Sequence, residues 1–149
     1  MTLYLIRHAK AGDRLNDHAA DRDRSLSKTG RAQAVQIAEI LRTAGISRII
    51  SSPFKRCVET VSPLAEKLGL RVEPSETLAE ETSLAALSTL IESLGSTQEN
   101  AALCSHGNVI PAVLRLLGVY SHDTMLCQKG SIYTVDLATG QVVYAQTSS

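Results

Sequence analysis

Apolar residues recur at helical spacing in four segments of the chain. They are Ala34, Ile37, Ala38 and Leu41; Val58, Val61, Ala65 and Leu68; Leu84, Leu87, Ile91 and Leu94; and Val109, Val113 and Leu116. One apolar stripe per segment predicts four amphipathic helices. Each stripe is followed by a glycine: Gly45, Gly69, Gly95 and Gly118. Glycine enters the left-handed region without a Cβ clash, so each reads as a helix terminator. Ser27 can cap the first helix, and Ser52-Pro53 reads as an N-cap followed by proline at the first helical position.

Between the helices lie short β-prone runs: Leu3 to Ile6, Arg48 to Ser51, Leu70 to Val72 and Ala101 to Cys104. Ser131 to Leu137 and Gln141 to Ala145 follow, and Ala138-Thr139-Gly140 between them suggests a hairpin. Strands alternating with helices imply parallel βαβ units. Wholly apolar runs such as Leu3 to Ile6 suit strands covered on both faces. The expected fold is α/β: a three-layer α/β/α arrangement with a mostly parallel central sheet and a C-terminal β-hairpin at one side. Residues 10–26, "KAGDRLNDHAADRDRSL", break the pattern, with many charges and no clear period. A connection of that length in a compact domain is usually functional or disordered.

Composition narrows the picture. The 149 residues fit one domain spanning 1–149, with 44% hydrophobic and 20% charged residues. Aromatics are 3% and Trp is absent, so the core must be aliphatic. Fifteen basic and fifteen acidic side chains cancel. Nothing global therefore draws the chain to a nucleic-acid polymer or an anionic membrane, and any anion binding must be local. Cys57, Cys104 and Cys127 are odd in number, widely spaced and without a CxxC pair, which suits reduced thiols packed as small core hydrophobes. No signal-peptide pattern and no bilayer-length apolar run is evident, so the expectation is a cytoplasmic protein.

In an open parallel sheet, ligands gather beyond the carboxyl ends of the strands. Arg7-His8 follow the first strand, and Ser51-Ser52-Pro53 with Lys55-Arg56 follow the second. His106-Gly107-Asn108 follow "AALCS", and Glu80-Glu81 precede the third amphipathic helix. Converging on one rim, these groups make a pocket of two arginines, two histidines and a carboxyl. Guanidinium forks suit a tetrahedral oxyanion, and helix N-termini add N–H donors. A neutral imidazole can accept a phosphoryl group. Taken alone, Arg7-His8 would read as a solvated strand end, Arg56 as a helix surface charge, and Glu80 or Glu81 as a dipole-favoured helix start. Set together, they read as a phosphate site. His18 and His122 lie in polar surroundings and are expected on the surface. In the 10–26 segment, Lys10, Arg14, Arg22 and Arg24 extend a positive rim that Asp13, Asp17, Asp21 and Asp23 offset.

These residues resemble a family. "LIRHAKAG", "SSPFKRCVET" and "SHGNVIPAVL" resemble, in order, the three motifs of the histidine phosphatase (phosphoglycerate mutase-like) superfamily, and "LAEE" sits where many members carry their acid. "KGSIYTVDL" is similar to the family's late strand. With no large cap insertion, the chain most resembles SixA-type phosphohistidine phosphatases. Ala9 follows His8 where many mutase-like members have Gly, and the polar residues that follow in those members are not evident, which favours hydrolysis over a mutase reaction. The resemblance implies His8 as the phosphorylated nucleophile, with Arg7 and Arg56 as phosphate clamps. It implies His106 as a donor to the phosphoryl group, beside Gly107, and Glu80 as the acid, with Glu81 the fallback. It implies no metal and no other cofactor. The partner would be a phosphorylated small molecule or a phosphohistidine protein. A zinc site lacks HExxH, His-x-His and CxxC patterns. The alternative function is a non-catalytic phosphate-binding or scaffold domain of the same fold. A domain usually fused to another enzyme, such as a Nudix hydrolase, has no linker in its support.

Overall fold

The computed structural model describes residues 1–121, 124 and 126–148, so His122 lies outside the described residues. The elements run β1 (Thr2–Arg7), α1 (His18–Arg22), α2 (Lys28–Leu41), β2 (Arg48–Ser51), α3 (Lys55–Leu68) and β3 (Val72–Pro74). After a 3-10 turn (Glu76–Leu78) come α4 (Leu84–Thr97), β4 (Ala101–Ser105), α5 (Val109–Leu116), β5 (Ser131–Asp136) and β6 (Val142–Gln146). The sheet order is β3-β2-β4-β1-β5-β6. The first four strands are parallel. β5 and β6 are antiparallel and form the hairpin at one side.

Successive strand side chains point to opposite faces, and this builds two cores on one sheet. Tyr4, Ile6, Ile49, Ala102 and Cys104 pack with α2 and α3 residues such as Ile37, Leu41, Val61 and Leu64. Leu3, Leu5, Ile50 and Leu103 pack on the other face with Leu87, Leu94, Ile110 and Val113 of α4 and α5. Both faces of β1 are thus covered, and each fully buried aliphatic side chain there contributes about 1.5–3 kcal/mol. Among the described residues no helix is long and apolar enough to cross a membrane.

Three local expectations need correction. Gly95 does not end its helix: α4 continues to Thr97, and Gln98 takes the left-handed turn at φ 56°, donating its N–H to Leu94 C=O (3.1 Å). A Cβ on Gly95 would touch nothing within 4 Å, so no packing constraint selects glycine there. Ser52-Pro53 does not start α3. The Ser52 N–H still pairs with Cys104 C=O (2.9 Å), prolonging the sheet contact, and the helix begins at Lys55 behind Phe54. β3 starts at Val72 rather than Leu70, because Gly69 (φ 67°) and Leu70 close the end of α3, with Leu70 N–H donating to Ala65 C=O (2.9 Å). Residues 10–26, which carry no clear period, hold local structure. Asp17 caps the short helix α1, and Ala11 bridges to Leu26. The expected Ser27 cap is present, its hydroxyl oxygen accepting from the Gly30 N–H (3.1 Å).

Candidate active site

The carboxyl ends of β1 and β4 lie side by side in parallel register, Arg7 against Ser105. His8 and His106, one residue further along each strand, are therefore neighbours, with ring centroids 5.5 Å apart. The backbone around His8 is pinned from two sides. Its N–H donates to Ser105 C=O (3.0 Å), and the Ala9 N–H donates to Thr60 Oγ1 on α3 (2.9 Å). His8 Nδ1 lies 2.9 Å from Ala9 C=O. A carbonyl only accepts, so Nδ1 carries the proton and Nε2 keeps the lone pair. Burial, together with the charges of His106, Arg56 and Arg7, outweighs that hydrogen bond and lowers the His8 pKa to about 3. Near neutrality His8 is an uncharged imidazole with one nitrogen free to attack.

His106 is buried. Its Nε2 lies 2.9 Å from Ser52 Oγ, the hydroxyl oxygen of which accepts from the Phe54 N–H (3.3 Å). The other ring nitrogen is Nδ1. That atom is 3.6 Å from Glu80 Oε1 and has no hydrogen-bond partner among the described residues. Cys57 Sγ packs 3.6 Å from the Nε2 edge. Cys57 and Cys104 are buried, as a packing role requires, and burial pushes the Cys104 thiol up.

The two arginines come from different elements, Arg7 from the end of β1 and Arg56 from α3. Arg56, in the first turn of α3, is wholly buried with its guanidinium 4.9 Å from the Phe54 ring centroid. Its Nη1 donates to Asp21 C=O (2.9 Å) and its Nη2 to Glu80 Oε1 (3.1 Å), with Asp21 Oδ2 at 3.5 Å. Arg7 donates from Nη1 to Cys127 C=O (2.6 Å). It lies flat against Gly107, where a Cβ would stand 2.7 Å from Arg7 Cζ. Only glycine admits the guanidinium at that distance. The Nε atoms of Arg7 and Arg56 join His106 Nδ1 as buried polar atoms without a hydrogen-bond partner among the described residues. Unpartnered polar atoms on two guanidiniums and an imidazole are groups that suit an oxyanion.

Glu80 belongs to this cluster and Glu81 does not. Glu80 Oε1 accepts from Arg14 Nη2 (2.9 Å) and Arg56 Nη2 (3.1 Å), and Asn108 Nδ2 holds the Glu80 carbonyl (2.8 Å). Burial raises the Glu80 pKa, but the Arg14 hydrogen bond and the charges of His106, Arg14 and Arg56 outweigh it and leave it below the usual range. Glu81 pairs with Arg22 (3.4 Å) instead. The cavity in front of His8 has a volume of about 690 Å³. It is lined by Arg7, His8, Lys10, Ala11, Gly12, Asp13, Arg14, Arg24, Glu80, Gly107, Asn108 and Lys129.

All six residues singled out in the sequence, Arg7, His8, Arg56, Glu80, His106 and Gly107, thus lie at one rim. Of the 10–26 segment, Lys10, Arg14 and Arg24 line the cavity, whereas Arg22 turns to Glu76 and Glu81. His18 is exposed. Asp21, read from the sequence as a rim charge, is buried. It accepts from the Leu15 N–H (2.9 Å) and Arg24 Nε (3.0 Å) and backs Arg56. Lys129 was not singled out at all. It precedes an antiparallel strand, and the start of such a strand reaches the same rim as the ends of the parallel ones. Among the described residues no group of three or more His, Cys, Asp or Glu side chains is placed to hold a metal ion.

One rim of a largely parallel sheet thus gathers two histidines, two arginines and a carboxylate, and the chain belongs to the histidine phosphatase superfamily (branch 1), whose model matches residues 3–85. Among individual relatives, the chain is similar to the 8-oxo-(d)GTP phosphatase of Mycolicibacterium smegmatis. The two are 31% identical over 151 aligned positions, covering 97% of this chain and 47% of that protein. The chain spans about half the length of that relative. In fold it is similar to a mycobacterial glucosyl-3-phosphoglycerate phosphatase in complex with VO3, at a TM-score of 0.75 and 18% identity, covering 99% of each chain. It is also similar to the protein histidine phosphatase SixA complexed with tungstate, at a TM-score of 0.72 and 22% identity, covering 97% of this chain and 94% of the other.

Proposed function

We propose that this chain is a metal-independent phosphatase that hydrolyses a phosphomonoester or a protein phosphohistidine through a covalent phosphohistidine on His8. The observation that carries the reading is the fixed tautomer of His8. Nδ1–H is committed to Ala9 C=O (2.9 Å), so Nε2 holds a lone pair among Arg7, Arg56 and His106. In the first half-reaction a bond forms from Nε2 to phosphorus as the bond from phosphorus to the leaving atom breaks. The electron pair departs with the leaving group. Arg7, Arg56, His106 Nδ1–H and the backbone at Gly107 hold the equatorial oxygens, and catalysis is chiefly positioning and charge stabilisation.

Glu80 is an ionised carboxylate in the free site, held so by Arg14 and Arg56. A dianionic phosphate competes for the Arg56 guanidinium and repels the carboxylate, raising its proton affinity. The protonated acid then delivers its proton to the leaving atom. In the second half-reaction the carboxylate takes a proton from water as water attacks phosphorus and the N–P bond breaks. Orthophosphate leaves and neutral His8 is restored.

The likeness to an 8-oxo-(d)GTP phosphatase supports a phosphorylated small molecule, and the likeness in fold to SixA admits a phosphohistidine protein. The test is a rapid-quench incubation with a labelled phosphodonor. Acid-labile, base-stable label on His8 is expected, with both label and turnover absent from His8→Ala. Normal turnover by that variant sinks the mechanism. Chelator should leave the rate unchanged, and a large loss would restore a metal to the reaction.

A further inference from the structure

Beside the main cavity lies a smaller one of about 290 Å³, lined by Arg7, Lys10, Gln33, Gln128 and Lys129. Three of its lining residues also line the main cavity, so the two are adjoining parts of one basin. Its charged residues are all cations, whereas the main cavity carries Asp13 and Glu80. Arg14 and Arg24 are neutralised by Glu80 and Asp21. By contrast, among the described residues the one lysine joined to a carboxylate is Lys67, with Glu39, and neither Lys10 nor Lys129 has such a partner.

The backbone at each lysine is held in place, while both side chains are exposed. Gln33, buried on α2, accepts the Lys10 N–H at Oε1 (2.9 Å) and donates from Nε2 to Lys129 C=O (3.4 Å). The Lys10 carbonyl accepts from both the Ser27 N–H (2.9 Å) and the Ser27 hydroxyl (3.1 Å). Gly130, after Lys129, donates its N–H to the carbonyls of Arg7 (3.2 Å) and His8 (3.1 Å). One buried carboxamide thus ties the two lysine backbones together next to the proposed nucleophile. Burial, and then the charges of Arg7, Arg24, Lys10 and Arg14, push the Lys129 pKa down. Burial leads that shift, and the neighbouring cations add to it.

We propose that the side cavity between Lys10 and Lys129 is a subsite for a second phosphate of the substrate. The favoured substrates are then phosphate compounds whose leaving group itself carries a phosphate. This rests on the reading of His8 as the nucleophile, since the second phosphate is placed by its distance from the first. The shared chemistry has two sources, an anhydride-linked phosphate as in a nucleoside diphosphate and an ester-linked one as in a sugar bisphosphate. A phosphohistidine side chain presents no second phosphate.

The experiment compares kcat/KM for matched pairs. One arm sets a nucleoside diphosphate against the monophosphate of the same base, and the other a hexose bisphosphate against the hexose monophosphate. At least one pair should show a preference of about tenfold or more for the second phosphate, as expected of a charge-assisted contact. The arm that shows it identifies the linkage. In Lys10→Gln/Lys129→Gln that ratio should collapse toward one, and the ratio rather than the absolute rate is the readout. Inhibition of the wild-type enzyme needs no variant: pyrophosphate should compete about tenfold more tightly than orthophosphate. Ratios near one in both arms, a preference untouched by the double substitution, or faster turnover of a phosphohistidine protein than of every second-phosphate substrate would overturn the subsite. Label on His8 without the preference overturns the subsite and leaves the nucleophile standing. A lysine-dependent preference in an enzyme whose His8 takes no label supports the subsite and removes the nucleophile.

Discussion

Substituting Gly107 by Ala places one methyl group on the floor of the proposed phosphate clamp. On the present backbone that Cβ would stand 2.7 Å from Arg7 Cζ, 2.9 Å from Nε and 3.0 Å from Nη2. Non-bonded carbons rest about 3.5–4.0 Å apart, so the guanidinium must retreat by about 1 Å. The backbone itself needs no change, since Gly107 is not among the residues at positive φ. Arg7 cannot swing freely either, because Nη1 is tied to Cys127 C=O at 2.6 Å. A displacement of about 1 Å in a positioning group costs on the order of 10²-fold in rate. Loss of one charge-assisted hydrogen bond, about 1.5–3 kcal/mol, gives a similar figure. With an aryl phosphate as substrate, kcat/KM should therefore fall about 10²-fold and orthophosphate inhibition should weaken about tenfold. Thermal melting should move little, since the methyl meets the far end of a flexible side chain. Gly95→Ala is the matched control: it sits inside α4 with open space around it and should stabilise the fold by about 0.5–1 kcal/mol in urea melts. Unchanged kcat/KM and unchanged phosphate affinity in Gly107→Ala would refute the placing of Arg7 against the phosphate.

Two further outcomes follow from buried charge. Asp21→Asn keeps the shape but removes the carboxylate at 3.5 Å from wholly buried Arg56. Breaking a buried pair costs about 3–5 kcal/mol; Glu80 and the Asp21 carbonyl still hold Arg56, so a loss of about 2 kcal/mol is expected from urea melts at pH 7. Burial raises the Asp21 pKa, but the Leu15 N–H and Arg24 outweigh it and hold it below the usual carboxylate range. Its contribution is therefore present above that range and lost as pH falls through the depressed value, so the gap between wild type and variant should close in acid. His8 behaves separately. With its pKa lowered to about 3, the folded state stays unprotonated while the unfolded chain takes a proton near pH 6.5. Stability from His8 is complete above pH 6.5 and erodes toward pH 3, so wild type should lose about 2 kcal/mol more than His8→Asn between pH 7 and pH 5. Parallel pH dependence in the two proteins would contradict a buried, neutral His8.

Much of the architecture was legible because helix and strand periods are strong signals. The stripe from Ala34 to Leu41, the Ser27 cap and the terminator Gly69 each reflect a local rule that packing reinforces. Gly95 misled because a glycine can be tolerated in a helix as well as end one. Ser52 misled because its hydroxyl and N–H serve His106 and β4 rather than α3. For the site, residues following parallel strands were readable from topology alone. Lys129 escaped because it precedes a strand of opposite direction. Asp21 escaped because its charge pattern with Arg22, Asp23 and Arg24 is that of a solvated loop. Only the tertiary approach of Arg56 shows which of those carboxylates is buried.

The hydrogen bond from Arg7 to Cys127 joins residues 120 positions apart. Closing so long a loop is entropically costly and comes late when non-local strand pairs form late. An intermediate in which β1 and β4 have paired but β5 has not yet docked lacks the acceptor that aims Arg7. On the proposed reading of the site, phosphate affinity arrives only when β5 docks, and a bound oxyanion would stabilise the completed chain over partly folded forms. The proposed anion clamp would then double as a check on assembly.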